Sequence, residues 1–279
     1  MVLNKILFII VLYKNSLEES KTIATLNNYL SVSVDVLVFD NSPKKQYNES
    51  SFIYGKFKVE YHHDSSNPGL NFAYNYALNQ ANENNYQWLL LLDQDTIFTK
   101  EYIDTIYNLD FKNLSVDTVS LIPKVKNFTD NKLISPSKMY LGGICKPTEI
   151  KSDVINTPVS GINSGTILRT SYIVEIGGFS NDYSLDMLDH WYFRRIFKDY
   201  KNIFLMNCTI FQDLSIFGIF EENVSLSRYK QMLLAEIHFV KNDGIFSIIV
   251  FKIRLLCRVF KQYKYNNKRY YKLSLKHLF

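Results

Sequence analysis

Asp93 and Asp95 close the run Trp88-Leu89-Leu90-Leu91-Leu92-Asp93-Gln94-Asp95-Thr96, in which an apolar stretch that reads as a buried strand ends in two carboxylates. At spacing i, i+2 both acids point to the same side of an extended strand end. Such a pair repels itself unless a cation relieves it, and an all-oxygen donor set suits Mn²⁺ or Mg²⁺ held against a substrate phosphate. The competing reading is a solvated turn after a core strand, the commoner meaning of an isolated D-x-D. Asp40 ends another apolar run, and its carboxylate can accept a hydrogen bond from the imide N–H of uracil or thymine, or from a guanine ring. An Asx turn through Asp40-Asn41-Ser42 is the alternative there. Tyr13 follows the first apolar run, where it could stack on a base or belong to the core.

The elements that must position these residues are legible from periodicity. Ile6–Tyr13, Val34–Phe39 and Trp88–Leu92 are rich in branched residues and read as strands buried on both faces, as parallel strands are. The first helix is expected to open at Ser16, with Glu19 completing a capping box and Leu17, Ile23, Leu26 and Leu30 facing the sheet. A second helix is expected from about Gly69 to Asn82, entered through Asn67-Pro68-Gly69. Alternating strands and helices imply right-handed crossovers and a doubly wound sheet, whose ligands collect at the carboxyl ends of the strands. Residues 111–170 are broken by Pro123, Pro136, Gly142-Gly143, Pro147 and Pro158, and read as later strands with a hairpin excursion. Helix returns over 171–200, amphipathic from Leu185 to Tyr200, and again over about 224–242 and 244–262. The division this implies is residues 1–220, with halves at about 1–98 and 99–220, followed by a helical appendage over 221–279.

With 279 residues the chain can bury a substantial core. The net charge of +5 is unevenly placed: no Asp or Glu follows Asp243, whereas Lys252, Arg254, Arg258, Lys261, Lys264, Lys268, Arg269, Lys272 and Lys276 do. That asymmetry suggests an acidic partner surface. From Ile245 to Phe279, apolar and basic residues alternate as in a helix lying on an anionic membrane; a helix packed on the rest of the protein with an exposed basic face would look the same. Nucleic acid is not expected as a partner, because no reader motif accompanies the charge. Cys145, Cys208 and Cys257 form neither a disulfide set nor a zinc spacing, which suits a reducing cytoplasm, and no apolar run is long enough to span a bilayer.

Five ordered motifs resemble the inverting nucleotide-sugar glycosyltransferases of family two, which have the GT-A fold. They are Val38-Phe39-Asp40-Asn41-Ser42; Asn67-Pro68-Gly69-Leu70 with Asn75; Leu92-Asp93-Gln94-Asp95-Thr96; Asn163-Ser164-Gly165; and Gly177-Gly178-Phe179 with Asp186-Met187-Leu188-Asp189 and Arg195. The Asp-Gln-Asp form is similar to the bacterial rhamnosyltransferase-like branch. The resemblance implies an α/β chain with a mostly parallel sheet flanked by helices. It also implies a UDP- or dTDP-sugar donor, dTDP-rhamnose among them, and a growing, lipid-linked surface glycan as acceptor at the inner face of the cell membrane.

By the same resemblance Asp95 ligates the metal, and Asp93 holds the ribose or a metal-bound water. Asp40 reads the base, Asn67, Gly69, Asn75, Asn163, Ser164 and Gly165 line the nucleotide-sugar site, and Asp189 is the general base. Asp186, three residues earlier, is expected on the same helical turn, where like charge would raise one pKa of the pair; the alternative for Asp189 is an acid favoured by a helix N-terminus. Three departures from the family pattern stand out. Tyr74 occupies the place of an Arg, Trp191 follows His190 where an acid is usual, and no histidine follows the base as third metal ligand, leaving Asp213 or Gln212 to substitute. A nucleotidyltransferase would share the sheet and metal but needs a basic Gly-rich loop that is absent here. A nucleotide-binding scaffold with a degraded site is the remaining alternative.

Overall fold

A computed structural model of the chain describes residues 2–212 and 224–278, and the chain divides into two units. The first comprises Met1–Ser137 with Pro147–Asp213, the second Lys138–Lys146 with Leu214–Phe279.

In the first unit, β1 (Ile6–Leu12), β2 (Val34–Asp40) and β5 (Trp88–Leu92) form where the apolar runs predict, almost wholly buried. Between β2 and β5 lie β3 (Ser51–Tyr54) and β4 (Phe57–His63), a hairpin not expected from the sequence. β4 alternates buried and exposed residues in period two. Then follow β6 (Thr118–Lys126), β7 (Leu133–Ser135), then β8 (Ser137–Tyr140) and β9 (Ile144–Pro147), which fall almost wholly in the second unit, and in the first unit again β10 (Val154–Ile155), β11 (Val159–Ser160), β12 (Ile167–Arg169) and β13 (Asn202–Phe211). The main sheet runs β10-β13-β6-β12-β5-β1-β2-β4-β3, with β7 beside β6.

β4, β2, β1 and β5 are mutually parallel, whereas β12 runs antiparallel to both of its neighbours. The chain therefore moves outward from β1 through β2 to β4, then returns to the other side of β1 as β5. That reversal places a topological switch point between the carboxyl ends of β1 and β5, where open parallel sheets bind ligands.

Helices α1 (Lys21–Tyr29), α2 (Leu70–Glu83), α3 (Lys100–Asn108), α4 (Thr170–Glu175) and α5 (Leu188–Lys198) accompany this sheet. The Ser16–Glu19 capping box does form, Ser16 N–H donating to Glu19 Oε2 at 2.9 Å. It closes a turn rather than the helix. The helix starts at Lys21 because Ser20 is the cap, its Oγ accepting from Ile23 N–H. Leu17, Ile23, Leu26 and Leu30 are all buried, as the pattern requires. α2 begins one residue after Gly69, while the expected helix over 171–200 is split, with residues 176–187 irregular.

The second unit contains α6 (Leu226–Lys241), α7 (Ile245–Tyr263) and α8 (Arg269–Lys276). The first two match the expected pair within two residues. The second ends at Tyr263, close to the expected 262, and the short third helix follows it. The core of this unit gathers Tyr229, Leu233, Phe251, Leu255, Val259 and Tyr270. Glu236 and Arg258 form a bidentate ion pair at 2.6 and 2.9 Å, and Tyr270 donates its hydroxyl to Val224 O. Gly142 N–H donates to Ser247 Oγ at 3.1 Å, tying the 138–146 hairpin to α7 within this unit.

Candidate active site at the switch point

The two carboxylates stand on a turn that β1, α1 and the 163–165 segment hold from three sides. Gln94 accepts the Tyr13 N–H at 2.9 Å, fastening the turn to the end of β1. From α1, Ser20 Oγ donates to Gln94 O at 2.8 Å, and Thr22 Oγ1 bonds Asp93 O and accepts the Thr96 N–H. Ser164 Oγ accepts from both Asp93 N–H at 3.1 Å and Thr96 Oγ1 at 2.7 Å. These bonds engage both backbone groups of Asp93, the Gln94 carbonyl and the Thr96 N–H, so the turn that presents the Asp93 and Asp95 side chains is held from three sides. Ser20 and Thr22 carry no motif signal; only the fold brings α1 here.

Asp93 is half-buried, and its Oδ2 accepts from Gln212 Nε2 at 3.0 Å across the site from the end of β13. Burial, then repulsion from Asp95, push its pKa up to about 7, with Asp189 adding to the same direction and the Gln212 bond opposing it. The carboxylate is therefore costly to ionise here unless a cation joins it. Asp95 is exposed on the outer side of the turn.

Asp189 lies in the first turn of α5, mostly buried, and its charge is felt at both Asp93 and Tyr74. Its Oδ1 accepts from the His190 N–H at 2.7 Å and meets His190 Nδ1 at 2.6 Å. Burial opposes its charge, but the His190 imidazole and these bonds outweigh that and hold the carboxyl below the usual carboxylate range. Asp189 is therefore not the member of the pair raised by like charge. Asp186 precedes the helix, in the turn before Met187, which takes a left-handed φ of 66°. The histidine, not Asp186, sets the direction of the shift. The helix-terminus alternative is also realised, since Asp189 accepts a first-turn N–H.

Other residues expected at the ligand are bonded within the chain. Asp40 presents no accessible surface: Oδ1 accepts the Ser42 N–H at 2.8 Å, the Asx turn, and Oδ2 accepts the Tyr61 hydroxyl at 2.6 Å. Burial and that bond push the Tyr61 phenol up to about 12. Asn75 spends both ends of its amide on one residue, donating to Phe179 O and accepting the Phe179 N–H, each at 2.8 Å. That pairing explains the two motifs together: a Cβ on Gly178 would sit 2.6 Å from Asn75 Oδ1, and φ is +86° there. Gly69 similarly lets the start of α2 approach the 184 backbone, Leu70 N–H donating to Ser184 O at 2.6 Å. Asn67 makes the turn before it with a φ of 51°. Ser164 is buried and committed to the Asp93 turn, and Gly165, at φ +78°, packs against Ile210 and bonds Leu91 O through its N–H. Arg195 pairs with Asp199 at 2.7 Å along its own helix.

Among the described residues, buried polar atoms without a hydrogen-bond partner occur at several places, Asn41, Asn71, Ser120 and Thr170 among them, and three belong to residues around Asp93. The Tyr74 hydroxyl, Gln212 Oε1 and Asn163 Oδ1 are buried side-chain atoms with no protein partner. Tyr74 lies within electrostatic reach of Asp93 and Asp189, Gln212 touches Asp93, and Asn163 adjoins Ser164. Buried polar groups are normally paired, so such atoms mark places where a ligand or water completes the structure. Tyr13, 42% exposed with Lys14 Nζ 5.1 Å from its ring centre, offers a flat face at the same strand ends.

The donors fit a hard divalent cation in chemical type: two carboxylates and an amide oxygen. Among the described residues no set of three His, Cys, Asp or Glu side chains converges, and Asp213 lies outside the described residues. A cation here would complete its shell with water or phosphate. A groove of about 560 Å³ between α3 and β13 contains none of these residues, so it is not the site.

No protein-family model and no curated protein matches the sequence. Solved structures do share the fold. A crystal structure of GalNAc-T7 with UDP, GalNAc and Mn²⁺ superposes with a TM-score of 0.57 at 13% identity, covering 83% of this chain and 47% of that one. A structure of S. aureus TarS 1–349 in complex with UDP-GlcNAc gives 0.50 at 16% identity, covering 83% and 66%. The chain thus spans about half the length of the first and 66% of the second. The fold is the expected one, GT-A, a large α/β sheet flanked by helices.

Proposed function

We propose that this protein is an inverting, metal-dependent glycosyltransferase of family-two type, moving one sugar from a UDP or dTDP donor, dTDP-rhamnose among the candidates, to a growing lipid-linked bacterial surface glycan. The observation that carries the reading is the carboxylate pair at the switch point: Asp93 is pushed up to about 7, with unsatisfied Gln212 and Tyr74 beside it and an ionised Asp189 near it. Buried polar atoms without partners beside a carboxylate suit a polar ligand better than they suit a packed core.

Mn²⁺ or Mg²⁺ would be held by Asp95 and Asp93, with Asp213 a further candidate, and supplies charge neutralisation for the departing diphosphate. The chain's own residues do the rest. The Tyr13 ring gives the base a platform, and the turn built on Asp40 shapes the wall beside it. Asn67 and Gly69 form the loop that admits the diphosphate, and Asn163 Oδ1 is open to a sugar or ribose hydroxyl. Asn75, Ser164 and Gly165 act as positioning residues, keeping α2 and the aspartate turn in register. Asp189 takes the proton of the acceptor hydroxyl as its oxygen bonds the anomeric carbon and the bond to the diphosphate breaks. His190 keeps that carboxylate ionised and oriented.

One observation favours a second reading, a nucleotide-binding scaffold of little activity: no three-ligand metal cluster forms among the described residues. Titration calorimetry of UDP, dTDP and GDP, with and without Mn²⁺ and repeated on Asp95→Ala, separates the two. Mn²⁺-dependent binding of one nucleotide, lost in the variant, is expected; binding of none removes the donor site, and binding without turnover of any sugar donor leaves the scaffold.

A further inference from the structure

Helix α7 is amphipathic twice over. One face, with Phe251, Leu255 and Val259, is buried in the second unit. A separate stripe of Phe246, Ile249, Ile253, Leu256, Phe260 and Tyr263 is exposed, reaching 71% at Phe246, 60% at Ile253 and 67% at Phe260. The spacing 3, 4, 3, 4, 3 keeps all six on one side of a helix about 28 Å long. Large apolar side chains in one continuous row are not the scatter of single exposed residues that every protein surface carries. The helix is also too polar elsewhere to cross a bilayer: no helix among the described residues is long and apolar enough to do so.

The charge around the stripe is mostly basic, Glu236 being paired with Arg258 and Asp243 accepting from Ser247 Oγ. No acidic residue follows Asp243. Beside α7, a cavity of about 220 Å³ is lined by Ile237, Val240, Ile248 and Phe251 together with Lys241, Lys252, Lys276 and His277, Lys252 Nζ also donating to Leu278 O at 2.6 Å. His277 is held below its ordinary pKa by burial and by Lys276 and Lys230, as expected where positive charge is concentrated. We infer that the second unit docks on an anionic phospholipid bilayer, the stripe of α7 lying in the headgroup–acyl boundary and the lysines of the adjacent cavity holding lipid phosphates. Apolar burial supplies the depth and the lysines supply the selectivity for anionic lipid. A second copy of the chain would cover the stripe too, but it would bring the same excess of basic charge against itself. Of the two readings of the tail, an exposed basic face is not what this stripe shows, since its residues are apolar.

Vesicle co-sedimentation of the full chain tests this without nucleotide, so its failure leaves the donor site untouched. Phosphatidylcholine vesicles are compared with vesicles that also contain phosphatidylglycerol. Binding to the mixed vesicles only, weakened by salt, is expected. Ile253→Ser with Phe260→Ser, both exposed and therefore compatible with folding, should lower partitioning at least about tenfold. Replacing Lys241, Lys252 and Lys276 with Gln should lower it about fivefold per lysine. An unchanged thermal unfolding curve shows that both variants fold. The proposal is overturned if neither vesicle binds, if both bind equally, or if the serine variant merely converts a dimer to a monomer in sedimentation velocity.

Discussion

Two regions of the first unit carry motif residues, and they use them in opposite ways. At the joint between α2 and the loop after α4, Asn75, Gly69 and Gly178 close on Phe179 and Ser184 so tightly that every polar atom of the Asn75 side chain is paired. Around Asp93, by contrast, Tyr74 on α2, Gln212 after β13 and Asn163 before β12 keep buried atoms without a protein partner, and Asp93 carries a pKa of about 7. At the joint the chain itself completes Asn75, although Asn71 Oδ1, beside Gly69, is buried without a partner. The surroundings of Asp93 are left for something else to finish, and they accept a stability cost in doing so. A motif match alone gives both regions equal weight; hydrogen-bond accounting separates the scaffold from the site.

The contrast can be tested by removing one group from each side. The largest effect is expected from Asp189→Asn, which should cut turnover about 10²–10⁴-fold while donor binding is kept, as single-turnover transfer and calorimetry would show. Transfer at the native rate would remove Asp189 as base. At the joint, Asn75→Ala leaves the Phe179 N–H and C=O unpaired. It should cost about 2–4 kcal/mol in urea unfolding, with nucleotide affinity of the folded protein unchanged. A large loss of affinity with no loss of stability would move Asn75 from the scaffold to the site.

Asp93→Asn should do the reverse, raising stability while abolishing metal-dependent binding. Its folded pKa of about 7 lies above the unfolded value, so the wild-type protein without metal binds more protons folded than unfolded between roughly pH 4 and 7. Stability is therefore lost as pH rises through that window, and the variant should gain about 1–3 kcal/mol at pH 8 and little at pH 4. The smallest effects concern single partners. Tyr74→Phe, which deletes an unpaired hydroxyl, should change stability by less than about 1 kcal/mol yet alter donor KM. His190→Ala should move the acid limb of kcat/KM upward, because the imidazole is what holds the Asp189 carboxyl low.

The strands β1, β2 and β5 were legible because burial on both faces leaves an unbroken apolar run, a signal that does not depend on any partner. The hairpin of β3 and β4 was not, since a short alternating segment with polar residues such as Lys58 and Glu60 reads as loop until a sheet edge is there to receive it. The start of α1 was misplaced by four residues for a local reason: two serines, Ser16 and Ser20, each offer a cap, and only Ser20 also finds the Gln94 carbonyl.

Residue order is enough to say which side chains stand at the strand ends, because Asp93, Asp95, Tyr13 and Asp40 each follow an apolar run whose length fixes where the strand stops. It is enough, too, for the one-sided charge of the last residues. What those groups face is another matter, and it emerges only in the folded chain. Asp189 meets His190 rather than Asp186, Gln212 reaches Asp93 from a strand end 119 residues away, and Asn75 is spent on Phe179. Spacing along a chain fixes direction within one element, but pairing, burial and the pKa of a carboxylate depend on neighbours from other elements, and those are set only when the sheet closes.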